Sequence, residues 1–249
     1  MNDNFTNKGN IIINSIELQL TNREQLLFLT SEAIEKKNIL NIIAYDFRHI
    51  LFNYNYFDKN SKYLFYPDSS GIFLILRIFY RAETQYFRRL VSTNFHYELL
   101  RISDKMNYKL FLLGDTTKTL NSFIEKINEK FINIEIVGFV NGYGDIESPN
   151  LISKINNSNA DILLVGLGVP KQEIWLIENS QKLNISVRIT VGAFFTFFSE
   201  KIKRAPIIYQ KLYLEWLYRF FHEPFRLFAR YFIQFPKAII FVAKEKWKK

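Results

Sequence analysis

The sequence has no cysteine among its 249 residues. This absence excludes a disulfide framework, thiolate metal ligands and thiol nucleophiles, and it agrees with a reducing compartment. The three histidines, His49, His96 and His222, are isolated from one another and lack the spacing of metal ligands. We therefore expect no redox chemistry, no bound metal and no cofactor.

Long apolar segments are also absent. The longest run without a charged residue, Ile189–Ser199, has eleven residues, whereas a helix that crosses a bilayer needs about 20. Near the N-terminus, the apolar stretch Ile11–Ile16 is interrupted by Asn14, is followed by Glu17 and has no basic run before it. We expect neither a transmembrane helix nor a secretory signal.

Acidic residues are scarce towards the C-terminus. Residues 199–249 contain twelve Lys or Arg and four Asp or Glu, so they carry +8 of the formal net charge of +9 and leave +1 for the preceding residues. A basic residue near an anionic membrane contributes about 1 kcal/mol to binding. The basic character of the protein therefore belongs to this C-terminal segment.

Short β-branched runs alternate with longer segments of helical spacing. This alternation predicts an α/β fold with a doubly wound, largely parallel, Rossmann-like sheet. The predicted strands are Ile39–Tyr45, Tyr63–Tyr66, Tyr108–Leu113, Ile134–Val140, Asp161–Val165 and Val187–Val191. The predicted helices are Arg23–Lys36, Thr117–Phe131, Ser148–Asn157 and Pro170–Leu183. We expect residues 1–203 to form this α/β domain and residues 204–249 a helical appendage.

The appendage is predicted to contain two aromatic helices, Ile207–Phe221 and Pro224–Phe235, followed by Pro236 and a lysine-rich end without a strand. An apolar stripe with helical spacing, flanked by Arg226 and Arg230, suits a helix that lies in a membrane interface. Its members are Leu227, Phe228, Tyr231, Phe232 and Phe235. The alternative is that this stripe packs onto the body or onto a partner subunit.

The segment 163–173, LLVGLGVPKQE, indicates a strand, a glycine turn and the start of a helix. Glycines such as Gly168 allow close backbone approach, free N–H groups at a helix start attract phosphate, and Lys171 and Gln172 add donors. The spacing matches neither a Walker loop nor the dinucleotide fingerprint. A plain strand-to-helix turn is the alternative.

Polar and aromatic residues follow two other strands. Asp68 comes directly after Tyr63–Tyr66, at the sheet edge where doubly wound folds bind ligands, and is a candidate general base. The alternative is an Asp that caps the following helix. After Ile134–Val140, the segment Asn141-Gly142-Tyr143-Gly144 places a tyrosine ring where it could stack on a nucleobase.

Together these segments resemble the WecG/TagA/CpsF family, glycosyltransferase family 26, whose members transfer a sugar from a UDP donor to a polyprenyl-diphosphate-linked acceptor. The resemblance is strongest from Asn133 to Tyr231. The motifs that carry it are Asn141-Gly142-Tyr143, Ser148-Pro149, residues 160–173 (ADILLVGLGVPKQE), Val191-Gly192-Ala193-Phe194-Phe195, Lys203-Arg204-Ala205-Pro206, residues 214–219 (LEWLYR), Glu223-Pro224, Arg226, Arg230 and Tyr231.

The resemblance implies an inverting transfer in surface polysaccharide or cell-envelope synthesis, with Asp68 as the base that takes the proton from the acceptor hydroxyl. Tyr143, with Gly142 beside it, matches a tyrosine that stacks on uracil, and Gln172, in the loop with Gly168 and Lys171, lies near the donor diphosphate. Arg88 or Arg89 matches a further arginine at the donor. The arginines that meet the lipid diphosphate match Arg219, Arg226 and Arg230.

The implied partners are a UDP-sugar, the polyprenyl-diphosphate acceptor and an anionic membrane surface, with no nucleic acid and a possible homo-oligomer. The protein would be cytoplasmic and peripheral on the inner face of the bacterial cytoplasmic membrane. Residues 1–203 would bind the nucleotide-sugar, and residues 204–249 the membrane and the acceptor.

Several positions depart from the family pattern. They are Ala44 and Asp46 in place of Thr and Asn, Ser69 after Asp68 in place of Gly, Ser92-Thr93-Asn94 in place of Gly-Ser/Thr-Asp, Thr196 in place of Asp, and Glu200 and Tyr213 in place of glycines. These changes alter hydroxyls and carboxylates around the sugar pocket, so the usual N-acetylmannosamine-type donor does not follow automatically. A non-catalytic relative that binds nucleotide-sugar, or a basic nucleic-acid-binding protein, is the alternative.

Overall fold

The computed structural model describes residues 10–52, 62–144, 146–199, 205–206, 208–209, 212 and 214–248. Eight strands form one sheet in the order β1-β2-β4-β3-β8-β7-β5-β6. All neighbours are parallel except β1 and β2. The strands are β1 Asn10–Ile13, β2 Ile16–Gln19, β3 Leu40–Tyr45, β4 Tyr63–Pro67, β5 Lys109–Gly114, β6 Glu135–Val140, β7 Ile162–Gly166 and β8 Val187–Thr190.

The predicted largely parallel sheet is confirmed, and β3 to β8 correspond to the six predicted strands. The hairpin of β1 and β2 was not predicted. Its turn is formed by Asn14 and Ser15, whose φ angles of 50° and 63° are both positive. Two-residue hairpin turns with positive φ angles usually contain a glycine, and this sequence has none at these two positions.

Helices cover both faces of the sheet because both faces of its strands are apolar. Along β7, for example, Leu163 and Val165 belong to one core layer, whereas Ile162 and Leu164 belong to the other. Helices α1, α3, α4 and α7 cover the second layer, and α2, α5 and α6 the first. The helices are α1 Arg23–Glu35, α2 Ser70–Phe79, α3 Ser92–Met106, α4 Thr117–Lys130, α5 Leu151–Asn156, α6 Lys171–Asn179 and α7 Phe194–Phe198, with a 3-10 helix at Phe47–Leu51.

The C-terminal segment contains α8 Glu215–His222, α9 Pro224–Phe228, a π-helical turn Ala229–Gln234 and α10 Phe235–Trp247. Helix α10 was not predicted, because Pro236 was read as the end of helical structure. A proline lacks the N–H for the hydrogen bond to the preceding turn, and here the π-helical turn lies where that bond is missing. The chain therefore stays helical through the proline.

Helix α10 packs on the body of the protein. Ala238 and Val242 are buried in the same core layer as the hairpin and α2, and Phe235 contacts Phe47 edge to face at 5.1 Å. The predicted boundary at 203/204 lies outside the described residues, as does part of the first predicted tail helix. In the described part of the chain, no helix is both long enough and apolar enough to span a membrane.

A topological switch lies between β5 and β7. The chain leaves β5 towards β6 on one side and leaves β7 towards β8 on the other, which opens a crevice at the carboxyl ends of the strands where ligands bind in such folds. The two strands approach closely here: a Cβ on Gly114, whose φ is +140°, would lie 2.3 Å from the carbonyl oxygen of Gly166. A glycine on each strand, Gly114 on β5 and Gly166 on β7, allows this close approach.

Candidate active site

Three carboxylates follow three strands at this edge of the sheet. Asp46 follows β3, Asp68 follows β4 and Asp115 follows β5. All three line one cavity of about 860 Å³. The far side of the cavity is formed by the C-terminal segment, including Arg219 and Arg230. The cavity therefore joins acidic groups of the α/β body to basic groups of the C-terminal helices.

Asp68 is held by the start of α3. Its Oδ1 accepts from the backbone N–H of Ser92 at 3.2 Å, and its Oδ2 accepts from the Ser92 hydroxyl at 3.0 Å. Burial raises the pKa of Asp68 in spite of these two hydrogen bonds, and a raised pKa favours proton uptake by a carboxylate base. The helix directly after Asp68 is capped instead by Ser69, whose φ is 82°. That left-handed conformation favours glycine.

Asp46 is the most heavily paired of the three carboxylates. It accepts from Arg48 Nη2 at 2.7 Å and from Arg230 Nη2 at 3.1 Å, and its side chain is only 7 % exposed. Burial alone would raise the pKa of Asp46, but the neighbouring Arg48, His49 and Arg230 hold it well below the usual value. The Asp46 carboxylate thus holds an arginine of the C-terminal segment.

A buried polar chain runs behind Asp46. His49 Nε2 lies 3.4 Å from Glu173 Oε1, and the same oxygen accepts from Gln172 Nε2 at 2.6 Å. The Gln172 Oε1 in turn accepts from the backbone N–H of Gly192 at 3.1 Å. Because both ends of its amide are bonded, Gln172 has a fixed orientation at the cavity wall.

The turn between β7 and α6 lies open towards the cavity. Gly168 has a φ of +78°, and no atom lies within 4 Å of a Cβ built on it. No side chain caps the first turn of α6. Lys171 Nζ lies 3.4 Å from the carbonyl oxygen of Gly142, and the adjacent Tyr143 is 80 % exposed at the rim. This arrangement can receive a phosphate group beside an aromatic ring.

The arginines of the site differ in their partners. Arg89 donates from Nη2 to Glu215 Oε2 at 2.9 Å, which ties α8 to the body. The guanidinium of Arg219 lies 4.7 Å from the ring centre of Phe197, and its Nε has no hydrogen-bond partner among the described residues. Arg226 is exposed and pairs with Glu223.

Most of the predicted site residues come together in this cavity. Gly142 and Lys171 do not line it, but they contact each other beside it. The predicted residues that line it are Asp68, Arg89, Tyr143, Gly168, Gln172, Arg219, Arg226 and Arg230.

Two cavity residues were missed by the sequence analysis. Asp115 accepts from the Thr196 hydroxyl at 2.7 Å, so a carboxylate lies next to the position where the family usually carries one. Asp115 follows a strand directly, as Asp68 does, and the same argument from the sheet edge would have found it. His96 carries no such signal, because it lies inside a helix.

Metal ligands do not cluster in the described part of the chain: no group of three or more His, Cys, Asp or Glu side chains there could hold a metal ion. Asp145 lies outside the described residues.

Comparison with known proteins identifies the family of the chain. The sequence profile of the glycosyl transferase WecG/TagA/CpsF family matches residues 12–249. An N-acetylglucosaminyldiphosphoundecaprenol N-acetyl-beta-D-mannosaminyltransferase of Bacillus subtilis (strain 168) is 30 % identical over 197 residues, which cover 78 % of this chain and 74 % of that enzyme. The enzyme of the same name from Staphylococcus aureus (strain NCTC 8325 / PS 47) is 29 % identical over 152 residues, which cover 61 % of this chain and 58 % of that enzyme. The chain belongs to the WecG/TagA/CpsF family of glycosyltransferases.

Proposed function

We propose that the protein is an inverting transferase of cell-envelope glycan synthesis. It moves an N-acetylmannosamine-type sugar from UDP to an N-acetylglucosamine unit carried on a polyprenyl diphosphate. The observation that carries the proposal is the single cavity that joins Asp68 to the arginines of the C-terminal segment. The names of the two bacterial relatives support the choice of sugar and acceptor.

Asp68 is the base in this reaction. The acceptor hydroxyl attacks the anomeric carbon of the donor, its proton passes to the Asp68 carboxylate, and the bond from the anomeric carbon to the UDP oxygen breaks. A single displacement inverts the configuration at that carbon. Ser92 fixes the carboxylate with two hydrogen bonds, and the burial that raises the pKa of Asp68 makes it a better proton acceptor at neutral pH.

The donor nucleotide binds along the turn between β7 and α6. Gly168 gives the diphosphate access to the backbone, the uncapped first turn of α6 attracts its charge, and Gln172 and Lys171 lie beside it. Tyr143, next to Gly142, stacks on the uracil. Arg89 completes the donor side through its position in the cavity wall.

The acceptor diphosphate binds to Arg219, Arg226 and Arg230. Guanidinium groups form strong paired hydrogen bonds with phosphate oxygens. Together with the helix start they stabilise the charge that develops on departing UDP, without a metal ion or another cofactor. Arg219 Nε has no hydrogen-bond partner among the described residues and can donate to a phosphate oxygen.

The C-terminal helices bind the inner face of the cytoplasmic membrane as well as the acceptor. The apolar stripe of this segment is divided: Leu227 is buried in the protein, whereas Phe228 and Phe232 are exposed. Phe225, outside the stripe, is 98 % exposed. Exposed aromatic side chains beside basic residues suit an anionic lipid interface. We also propose that several copies of the protein associate on the membrane and that the protein does not bind nucleic acid.

The transfer is tested with UDP-N-acetylmannosamine and a lipid-linked N-acetylglucosamine diphosphate. Wild-type protein should form product with and without EDTA, and NMR should show that the new linkage has the inverted anomeric configuration. Asp68→Asn should reduce kcat by a factor of about 100 or more. Asp104→Asn is the matched control, because Asp104 binds the backbone of Ile132 and Asn133 and does not line the cavity. Equal rates for wild type and Asp68→Asn would remove Asp68 from the role of base.

Membrane binding is tested by sedimentation with vesicles of phosphatidylglycerol. A Phe225→Ser, Phe228→Ser, Phe232→Ser variant should sediment less, whereas Ile132→Ser, a change at an equally exposed apolar residue of the body, should not. Retention on a polynucleotide column without vesicle binding would favour the nucleic-acid alternative instead.

A further inference from the structure

His96 is a buried polar residue that the proposed chemistry does not use. It lies on α3 and lines the cavity, yet it is only 2 % exposed. Neither ring nitrogen has a hydrogen-bond partner among the described residues. A buried polar group without a partner destabilises a fold, and most proteins avoid it. We therefore expect a ligand in the cavity to supply the hydrogen-bond partner that the His96 imidazole lacks.

The neighbours of His96 explain its protonation state. Its ring packs 4.9 Å from Phe194 and 5.4 Å from Phe95. Burial lowers the pKa of His96 to about 3, so the ring is neutral at physiological pH. A neutral imidazole offers one N–H donor and one nitrogen acceptor. It is suited to uncharged hydroxyl and amide groups rather than to a diphosphate.

The position of His96 relates it to Asp68. Ser92, which holds the Asp68 carboxylate, precedes His96 by four residues on α3. Residues four apart in a helix lie on the same face, separated by about 6 Å along the axis. If Asp68 receives the proton of the attacking hydroxyl, the anomeric carbon lies next to it. The donor sugar ring then lies within reach of His96.

We propose that His96 is a specificity-determining residue that binds a hydroxyl or amide substituent of the donor sugar through its neutral ring. This inference rests on the proposed function, because the reaction at Asp68 fixes where the sugar lies. Asp115 and the Thr196 hydroxyl supply the other polar groups of this sugar subsite. The nucleotide is bound elsewhere, so His96 contributes nothing to the affinity for UDP.

The test uses His96→Phe, which replaces the ring by one that matches its aromatic neighbours. His96→Phe should unfold at the wild-type temperature or above it, because an unpartnered polar group is removed from an apolar environment. By calorimetry it should bind UDP as wild type does, within a factor of about two, but bind UDP-N-acetylmannosamine about tenfold or more weakly. The KM for UDP-N-acetylmannosamine should rise as this affinity falls. His96→Gln, which keeps a donor and an acceptor, should recover part of the loss.

Two outcomes would overturn the inference. In the first, His96→Phe binds UDP-N-acetylmannosamine, UDP-N-acetylglucosamine and UDP-glucose as wild type does. In the second, His96→Phe and His96→Gln lose affinity for UDP and for UDP-sugar to the same extent. His222→Phe is the control, since His222 lies outside the cavity. Wild-type transfer with an unaffected His96→Phe variant refutes the role of His96 alone. Wild-type protein that transfers no sugar from any of these donors refutes the proposed function as well.

Discussion

Replacement of Asp46 by Asn should destabilise the protein strongly, although Asn is the residue usual in the family. Asp46 Oδ2 accepts from Arg48 Nε at 2.8 Å, from Arg48 Nη2 at 2.7 Å and from Arg230 Nη2 at 3.1 Å. Oδ1 accepts from the backbone N–H of Arg48 at 2.7 Å. An Asn side chain can keep the bond at Oδ1, but its amide NH₂ then faces two guanidinium groups that also donate.

The magnitude follows from these contacts. A hydrogen bond to a charged group contributes about 1.5–3 kcal/mol, and loss of one partner of a buried ion pair costs about 3–5 kcal/mol. The arginine side chains are 22 % and 19 % exposed, which weakens the interaction through solvent screening. We therefore expect Asp46→Asn to lower the free energy of unfolding by about 3 kcal/mol. Asp46→Ala also removes the cap of the 3-10 helix and should lose about 1 kcal/mol more.

The effect should depend on pH in a defined direction. Because the pKa of Asp46 is held well below its usual value, the folded carboxylate stays charged where the unfolded one, with a pKa of about 3.9, takes up a proton. The contribution of Asp46 is therefore complete above about pH 4 and is lost as the pH falls through the folded pKa. Below about pH 4, the difference between wild type and Asp46→Asn should shrink.

Urea denaturation at pH 7, 5 and 3 measures these differences in one series. Glu32→Gln is the control, because the Glu32–Lys36 pair lies on the surface, and its removal should produce no measurable change. A loss below about 1 kcal/mol for Asp46→Asn at pH 7 would refute the argument. So would a loss of constant size down to pH 3, because the charge of the carboxylate would then not be its cause.

Three further changes test the packing around the site. Gly71→Ala places a Cβ 2.5 Å from the ring of Phe47 and should cost about 1–3 kcal/mol in urea denaturation; an unchanged midpoint would show that the ring moves freely. Glu215→Gln removes the ion pair with Arg89 and should speed amide hydrogen exchange within α8 while exchange in the sheet stays slow. Unchanged exchange rates in α8 would show that this ion pair does not hold the C-terminal segment on the body. Gly114→Ala meets a backbone carbonyl at 2.3 Å and should reduce soluble yield sharply. Gly168→Ala meets no atom within 4 Å, so it should still fold, with a small loss of stability from the φ of +78°, and weaken UDP binding.

The parallel sheet was predictable because its strands are buried on both faces. Segments such as Ile162–Gly166 read as unbroken apolar runs, which few other structures allow. Helix α2, Ser70–Phe79, was anticipated only in the alternative that Asp68 caps a following helix, and no bounds were predicted for it. Helix α10 was missed because the sequence shows the proline but not the π-helical turn that accommodates it. Local patterns therefore identified the core but not its irregular elements.

The site was predictable where a residue follows a strand, as Asp68 does, since the fold brings such residues to one edge. The arginines of the C-terminal segment were placed only by resemblance to the family. The pairing of Arg230 with Asp46, separated by 184 residues, has no local signal. The surroundings of His96 could not be predicted either, because they are formed by helices α3 and α7, which lie far apart in the sequence.

Helix α10 has a consequence for the order in which the protein is assembled. Near its end, Glu245 accepts a hydrogen bond from the backbone N–H of Asn14 at 3.2 Å, in the hairpin of β1 and β2. The two residues are 231 positions apart in the chain, so this contact forms only after helix α10 has been synthesised. Arg219 and Arg230 follow every strand of the sheet in the chain, so the cavity is complete only once the C-terminal helices have packed on the body. Under the proposed function, a chain whose C-terminal helices are not yet packed has the donor side of the site but lacks its acceptor side.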